Sequence, residues 1–239
     1  PVVMLGTGLS MLDHVLHFNL QGVHLPPGVG VLDPFNGPHA DEVRRIVTTF
    51  HRKFYSDGRP RLLMLGINPG RLGAGSTGLS FTDTKRCESD LGIPVTGLRT
   101  HEPSSDFFYR MVRGVGGPEA FYGGVYVHAI CPLGFVKRGA NGTEVNLNYY
   151  EEAALEKAVT PFIERWLRTL VDCGMRTDAV VCIGTGKNAA YFTKLNARLG
   201  LFDRVVALEH PRYIMQYKAR SIDLYVRKYR SALEELGAL

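Results

Sequence analysis

Residues 62–70 read LLMLGINPG: an unbroken apolar run that stops at a turn built from glycine, asparagine and proline. A short continuous apolar segment bounded by turn residues is the pattern of a strand buried on both faces. Three further segments repeat it, 125–130 (VYVHAI), 179–183 (AVVCI) and 204–208 (RVVAL). Helical patterns lie around and between them. Residues 39–55 place Val43, Ile46, Val47, Phe50 and Phe54 on one face, with Asp41 and Glu42 in the first turn, where they suit the helix dipole. Segments 106–112, 149–171, 188–199 and 213–236 are the other expected helices, the second kinked or divided by Pro161. Buried strands alternating with helices predict an α/β fold, three α/β/α layers around a central four-stranded parallel sheet. One domain over 1–239 is expected, with a core from 61 and, over 1–60, an extension and a helix packed on it.

Composition sets the outer bounds. With 45% hydrophobic and 21% charged residues, 239 residues hold ample material for a core, which excludes disordered and fibrous classes. No apolar run approaches the ~18 residues of a membrane-spanning helix, and no charged-then-apolar leader opens the chain, so neither membrane insertion nor secretion is expected. Four scattered cysteines without a CxxC pair argue against a structural zinc or an iron–sulfur cluster; free buried thiols are expected instead. The net charge of +5 favours acidic partners only weakly.

In a parallel α/β sheet, ligands bind beyond the carboxyl ends of the strands. Those ends read GINPG (66–70), CPLGF (131–135), GTGKN (184–188) and EHPR (209–212). Five glycines between Gly66 and Gly78 let the backbone come close to a ligand. His210 stands at a strand end before a rigid proline and a cation, where catalytic groups commonly sit. The segment from Gly184 to Ala189 fits the dinucleotide fingerprint G-x-G-x-x-G/A, but about one helix of chain remains after Glu209, too little to complete a dinucleotide-binding unit in order. A tight strand-to-helix turn is the better reading. Residues 212–230 carry six Lys/Arg against one acid, interleaved with Tyr213, Tyr217, Tyr225 and Tyr229, whose spacings of 4, 8 and 4 put them near one helical face, a pattern that suits phosphate neutralisation and base stacking.

Taken in order, GINPG, Thr77-Gly78 with Phe81, His128 with CPLGF, Asn146 and His210-Pro211 resemble the uracil-DNA glycosylase superfamily, and within it the single-strand-selective monofunctional branch, in a divergent bacterial-type subgroup. The resemblance spans about 62–212. It implies that Asn68 holds the attacking water, that His210 stabilises the departing base, and that Phe81 stacks on an extruded base whose edge is read by Asn146, in the loop after the second strand. Gly66, Ile67, Pro69 and Gly70 would complete the base pocket, and Arg71, Lys187, Arg212, Tyr213, Gln216 and Lys218 would meet DNA. The implied activity is hydrolysis of the N-glycosidic bond of uracil in single- or double-stranded DNA, the first step of base excision repair. No metal, cofactor, protein partner or second subunit is required, and a bacterial cytoplasm or nucleoid is the expected location. One Asn amide can meet uracil O4 and N3–H together and rejects cytosine, whose pattern is reversed. Gly70, where the fastest branch has Tyr, leaves room for 5-substituted or other deaminated bases. The chain departs from the branch at Ala129, at Asn148-Tyr149, and after Pro211, where the residues 212–216 replace a duplex wedge. Two other readings stand beside this one, a nicotinamide-dependent enzyme using 184–189 and a non-catalytic nucleic-acid-binding domain.

Overall fold

The computed structural model describes residues 7–18, 21–139 and 141–239. In chain order its elements are α1 Thr7–Leu16, β1 Val29–Leu32, α2 Ala40–Phe54, β2 Leu62–Gly66, α3 Ala74–Thr77, α4 Thr84–Ser89, α5 Pro103–Gly114, α6 Pro118–Gly124, β3 Val125–Ala129, β4 Gly134–Arg138, β5 Glu144–Leu147, α7 Ala153–Asp172, β6 Val180–Ile183, α8 Lys187–Leu199, β7 Val205–Leu208, α9 Pro211–Tyr217 and α10 Ile222–Glu235. The four apolar runs pair as one parallel sheet in the order β3-β2-β6-β7. Every residue of β2 and β6 is buried, so helices cover the sheet on both faces. The chain reverses its direction of winding around β2, leaving a crevice beyond the carboxyl ends of the strands.

A second sheet, antiparallel in the order β1-β4-β5, is an addition to the expected architecture. It corrects the reading of Asn146, which lies in strand β5 opposite Val136 rather than in a loop. The β4–β5 hairpin carries this side chain back towards the turn after β2. The described residues of the segment 1–38 contain helix α1 and strand β1, with Met11, Leu12 and Val15 packed into the core; residues 1–6, 19 and 20 lie outside the described part.

Two helices also differ from expectation. α7 runs unbroken through Pro161 because Val159, Phe162, Ile163 and Trp166, on either side of it, are anchored in the core. The last helix is instead two, α9 and α10, separated at Lys218 and a short 3₁₀ turn over Ala219–Ser221. That break sends the tyrosines different ways: Tyr229 is fully buried, its hydroxyl donating to the Glu209 carbonyl, while Tyr213 and Tyr217 are exposed. All four cysteines are buried and unbridged.

Candidate active site

The turn after β2, the ends of β3 and β5, and the start of α9 converge on a cleft of about 310 Å³. It is lined by Gly66, Ile67, Asn68, Pro69, Gly70, Phe81, Asn146, His210, Arg212, Tyr213 and Gln216, eleven of the residues singled out in the sequence. Arg71, Lys187 and Lys218 are exposed and stand outside this lining.

Asn68 is gripped at both ends of its amide. Its Oδ1 accepts from the Tyr149 N–H at 3.2 Å, and its Nδ2 donates to the Leu147 carbonyl at 3.3 Å. One lone pair of Oδ1 is left to hold a water. Behind this grip, the Tyr149 hydroxyl donates to Asn188 Oδ1 at 2.7 Å, and Asn188 Nδ2 donates to the Ile183 carbonyl at 3.0 Å. The turn at 184–188 is therefore closed by its own buried asparagine, and it supports the Asn68 loop from below.

Phe81 has φ 54°, a left-handed conformation taken by no other non-glycine residue among those described. A bulky side chain held there costs about 1–3 kcal/mol and persists only where its surroundings over-determine it. Here Thr77 knots the turn: its Oγ1 donates to the Thr82 carbonyl at 2.6 Å and accepts from the Leu79 N–H, while Thr82 Oγ1 meets the Tyr109 hydroxyl. The Phe81 ring stacks on Phe108 with centroids 5.0 Å apart and planes 16° from parallel. Its edge rests against Gly66, where a Cβ would come 2.9 Å from Cζ, so glycine is required. The His210 ring stands 5.5 Å away.

His210 caps α9, its Nδ1 accepting the Arg212 N–H at 3.1 Å. An accepting Nδ1 carries no proton, so the neutral ring bears its hydrogen on Nε2 and is a donor there. Burial, with a smaller contribution from the Arg212 charge, pushes its pKa down to about 4. The ring is neutral at physiological pH.

Asn146 sits at the rim, exposed, with Oδ1 accepting the Arg71 N–H at 3.1 Å. That bond turns Nδ2 towards Gly70, where an added Cβ would lie 3.4 Å from it. The asparagine thus offers the cleft a donor first.

Two groups in the lining were given no site role from the sequence, although His128 belongs to the motifs that carry the resemblance. His128 is buried beside Trp166, its Nδ1 without a partner, and burial pushes its pKa down to about 3. Glu102, the residue before α5, is half-buried, with an enclosed Oε2 that has no partner. It abuts Gly73, and burial followed by repulsion from buried Asp83 raises its pKa to about 7. Only the spatial approach of the β2 turn to α5 encloses this carboxyl. Among the described residues, no cluster of three or more His, Cys, Asp or Glu is arranged to hold a metal, and no helix is long and apolar enough to cross a membrane.

A family model described as the uracil DNA glycosylase superfamily matches residues 52–235. Single-strand selective monofunctional uracil-DNA glycosylases of Rattus norvegicus and Mus musculus are each 30% identical, in alignments that cover 58% of this chain and 55% of theirs. The chain thus spans just over half the length of these curated relatives. The crystal structure of wild-type SMUG2 from Pedobacter heparinus superposes with a TM-score of 0.94 at 44% identity, covering 98% of this chain and 99% of that one.

Proposed function

The chain belongs to the uracil DNA glycosylase superfamily, and from that premise we propose that it hydrolyses the N-glycosidic bond of uracil in DNA. The observation that carries the reading is the presentation of Asn68 and a neutral, Nε2-protonated His210 in one cleft with Phe81, held on a strained backbone.

An enzyme that acts on a base must draw it out of the stack into a pocket. On this reading the uracil enters beside Phe81, which is already fixed at the cleft wall by Phe108 and the Thr77 knot. The C1′–N1 bond breaks with its electron pair passing to the uracil ring and its O2. There the His210 Nε2–H donates, and its contribution is greatest in the transition state because that is when the charge develops. A water held on Asn68 Oδ1 supplies the oxygen that bonds to C1′. Its proton ends on solvent or on the departing uracil, leaving free base and an abasic sugar. An amide takes no proton near neutrality, so Asn68 orients the water and does not deprotonate it.

Asn146 would read the base edge, its Nδ2 meeting uracil O4; the amino group of cytosine would face that donor with another donor. Gly70 leaves the neighbouring space open, which suits bases substituted at C5. Arg212, Tyr213 and Gln216 in the lining, with Arg71, Lys187 and Lys218 around it, would meet the DNA strand. The reading has one domain spanning the chain, working on the DNA of a bacterial cytoplasm or nucleoid without a protein partner.

The test is a labelled oligonucleotide with one uracil, single- or double-stranded, incubated with protein and then cleaved with alkali. Scission at the uracil is expected for the wild type. Its absence overturns the enzymatic reading, and scission undiminished by Asn68→Ala and His210→Ala overturns the assignment of residues.

A further inference from the structure

Helix α9 presents two aromatic rings to solvent at the cleft. Tyr213 is 42% and Tyr217 65% exposed, and both belong to the cleft lining. They stand one helical turn apart with ring centroids 5.5 Å from each other and planes at 44°. Neither hydroxyl has a hydrogen-bond partner among the described residues, in contrast to Tyr229, which is buried and bonded a few turns on. The break at Lys218 is what leaves this pair outside.

The charges around the pair are also unlike those further along the chain. Lys228 is paired with Glu209 and Arg230 with Glu234. Arg212, Lys218 and Arg220, which flank the two tyrosines in the sequence, form no ion pair with a carboxylate among the described residues, although the Arg212 charge acts on the Glu102 carboxyl. Exposed aromatic faces among unneutralised cations match the two things an unpaired nucleotide offers, a π-face and a phosphate. A paired duplex already stacks its bases and has no free face to give.

We propose that Tyr213 and Tyr217 form a flanking-base subsite, a ledge on which the unpaired base next to the extruded uracil stacks in single-stranded DNA. The inference rests on the glycosylase reading and adds to it the recognition of the neighbouring nucleotide. Base–aromatic stacking is lost when the ring is removed and survives when only the hydroxyl is removed. It releases no counterions, so it leaves the salt dependence of binding alone.

The experiment measures binding of single-stranded oligonucleotides that carry 2-aminopurine beside 2′-fluoro-deoxyuridine, a target that resists hydrolysis. Wild type is expected to change the 2-aminopurine fluorescence on binding. Tyr213→Ala/Tyr217→Ala should abolish that change and weaken binding about tenfold or more, the scale of one stacked base. Tyr213→Phe/Tyr217→Phe should restore both, the slope of affinity against salt should not move, and a duplex with the flanking base paired should bind the variants equally well. Unchanged fluorescence and affinity in the Ala variant overturn the proposal, as do an equal loss on duplex and a failure of Phe to rescue. A wild type that shows the fluorescence change yet releases no uracil from a cleavable strand removes the glycosylase reading and keeps the ledge. A wild type that releases uracil while the Ala variant binds and fluoresces as it does removes the ledge alone.

Discussion

The wall of the cleft that follows β2 and the wall formed by α9 are stabilised in different ways. On the first, Asn68 is fixed by two backbone groups, Tyr149 and Asn188 stand behind it, and Phe81 is held in a costly conformation by Thr77 and Phe108. Its polar atoms are committed before any substrate arrives. On the second, His210, the N-cap of α9, has its ring fixed by a hydrogen bond; beyond it come exposed tyrosines and cations that form no ion pair with a carboxylate among the described residues. On the proposed reading, the difference separates chemistry from capture. Groups that must stabilise a transition state gain from preorganisation, because no reorganisation is then needed as charge develops. Groups that meet a long flexible polyanion gain from exposure and unneutralised charge.

The largest expected effect falls on the first wall and on His210. Removing one preorganised donor from an active site lowers turnover by about 10²–10³-fold. Asn68→Ala and His210→Ala should each fall in that range in single-turnover excision, with DNA affinity close to wild type. A loss confined to affinity would erase the distinction between the walls. Next comes the support behind Asn68. Tyr149→Phe leaves buried Asn188 Oδ1 without its donor, which should cost about 1–3 kcal/mol of unfolding free energy in a denaturant titration. No measurable loss would mean that the loop is not held through Asn188.

A smaller effect is expected on the second wall. Arg212→Gln with Lys218→Gln should reduce the slope of log affinity against log salt by about 1.4 on single-stranded DNA, at roughly 0.7 per phosphate contact. An unchanged slope would put the strand elsewhere. The last concerns Glu102, which lies between the walls. Its folded pKa, raised to about 7 from 4.5, means that the native state binds the proton more tightly than the unfolded chain. Stability is therefore lost as pH rises from 4.5 to 7, and the loss is complete above 7. Glu102→Gln should raise Tm relative to wild type at pH 8 by more than at pH 4.5; an equal difference at both would show that the carboxyl is not enclosed in solution.

The parallel sheet was legible because each of its strands is a compact apolar run, and Asn68 and His210 drew attention because they stand just beyond such strand ends, whereas Phe81 entered only through the family resemblance. The antiparallel sheet was not. GFVKR and EVNL are short and mix charge with apolar residues, since only part of each faces the core. That is why Asn146 read as a loop residue. The break at Lys218 lies in a run without glycine or proline, so nothing local announces it, and with it went the expectation of four tyrosines on one helical face. The basic surplus of 212–230 also shrinks in three dimensions, because Glu209 and Glu234 neutralise two of its six cations. Glu102 is invisible to local pattern; an acid before a proline at a helix start looks like an ordinary surface residue until Gly73 and Asp83 enclose it.

The central claim is that His210 works as a neutral donor whose tautomer is set by the Arg212 N–H. The direct measurement is the single-turnover rate of uracil excision from a single-stranded oligonucleotide at saturating protein, followed from pH 5 to pH 8. A neutral ring with a pKa near 4 predicts a rate that stays level with respect to His210 across this range. A rate that falls about tenfold per pH unit above roughly 6.5, the ordinary histidine pKa, would show that the imidazolium does the work and would contradict the account.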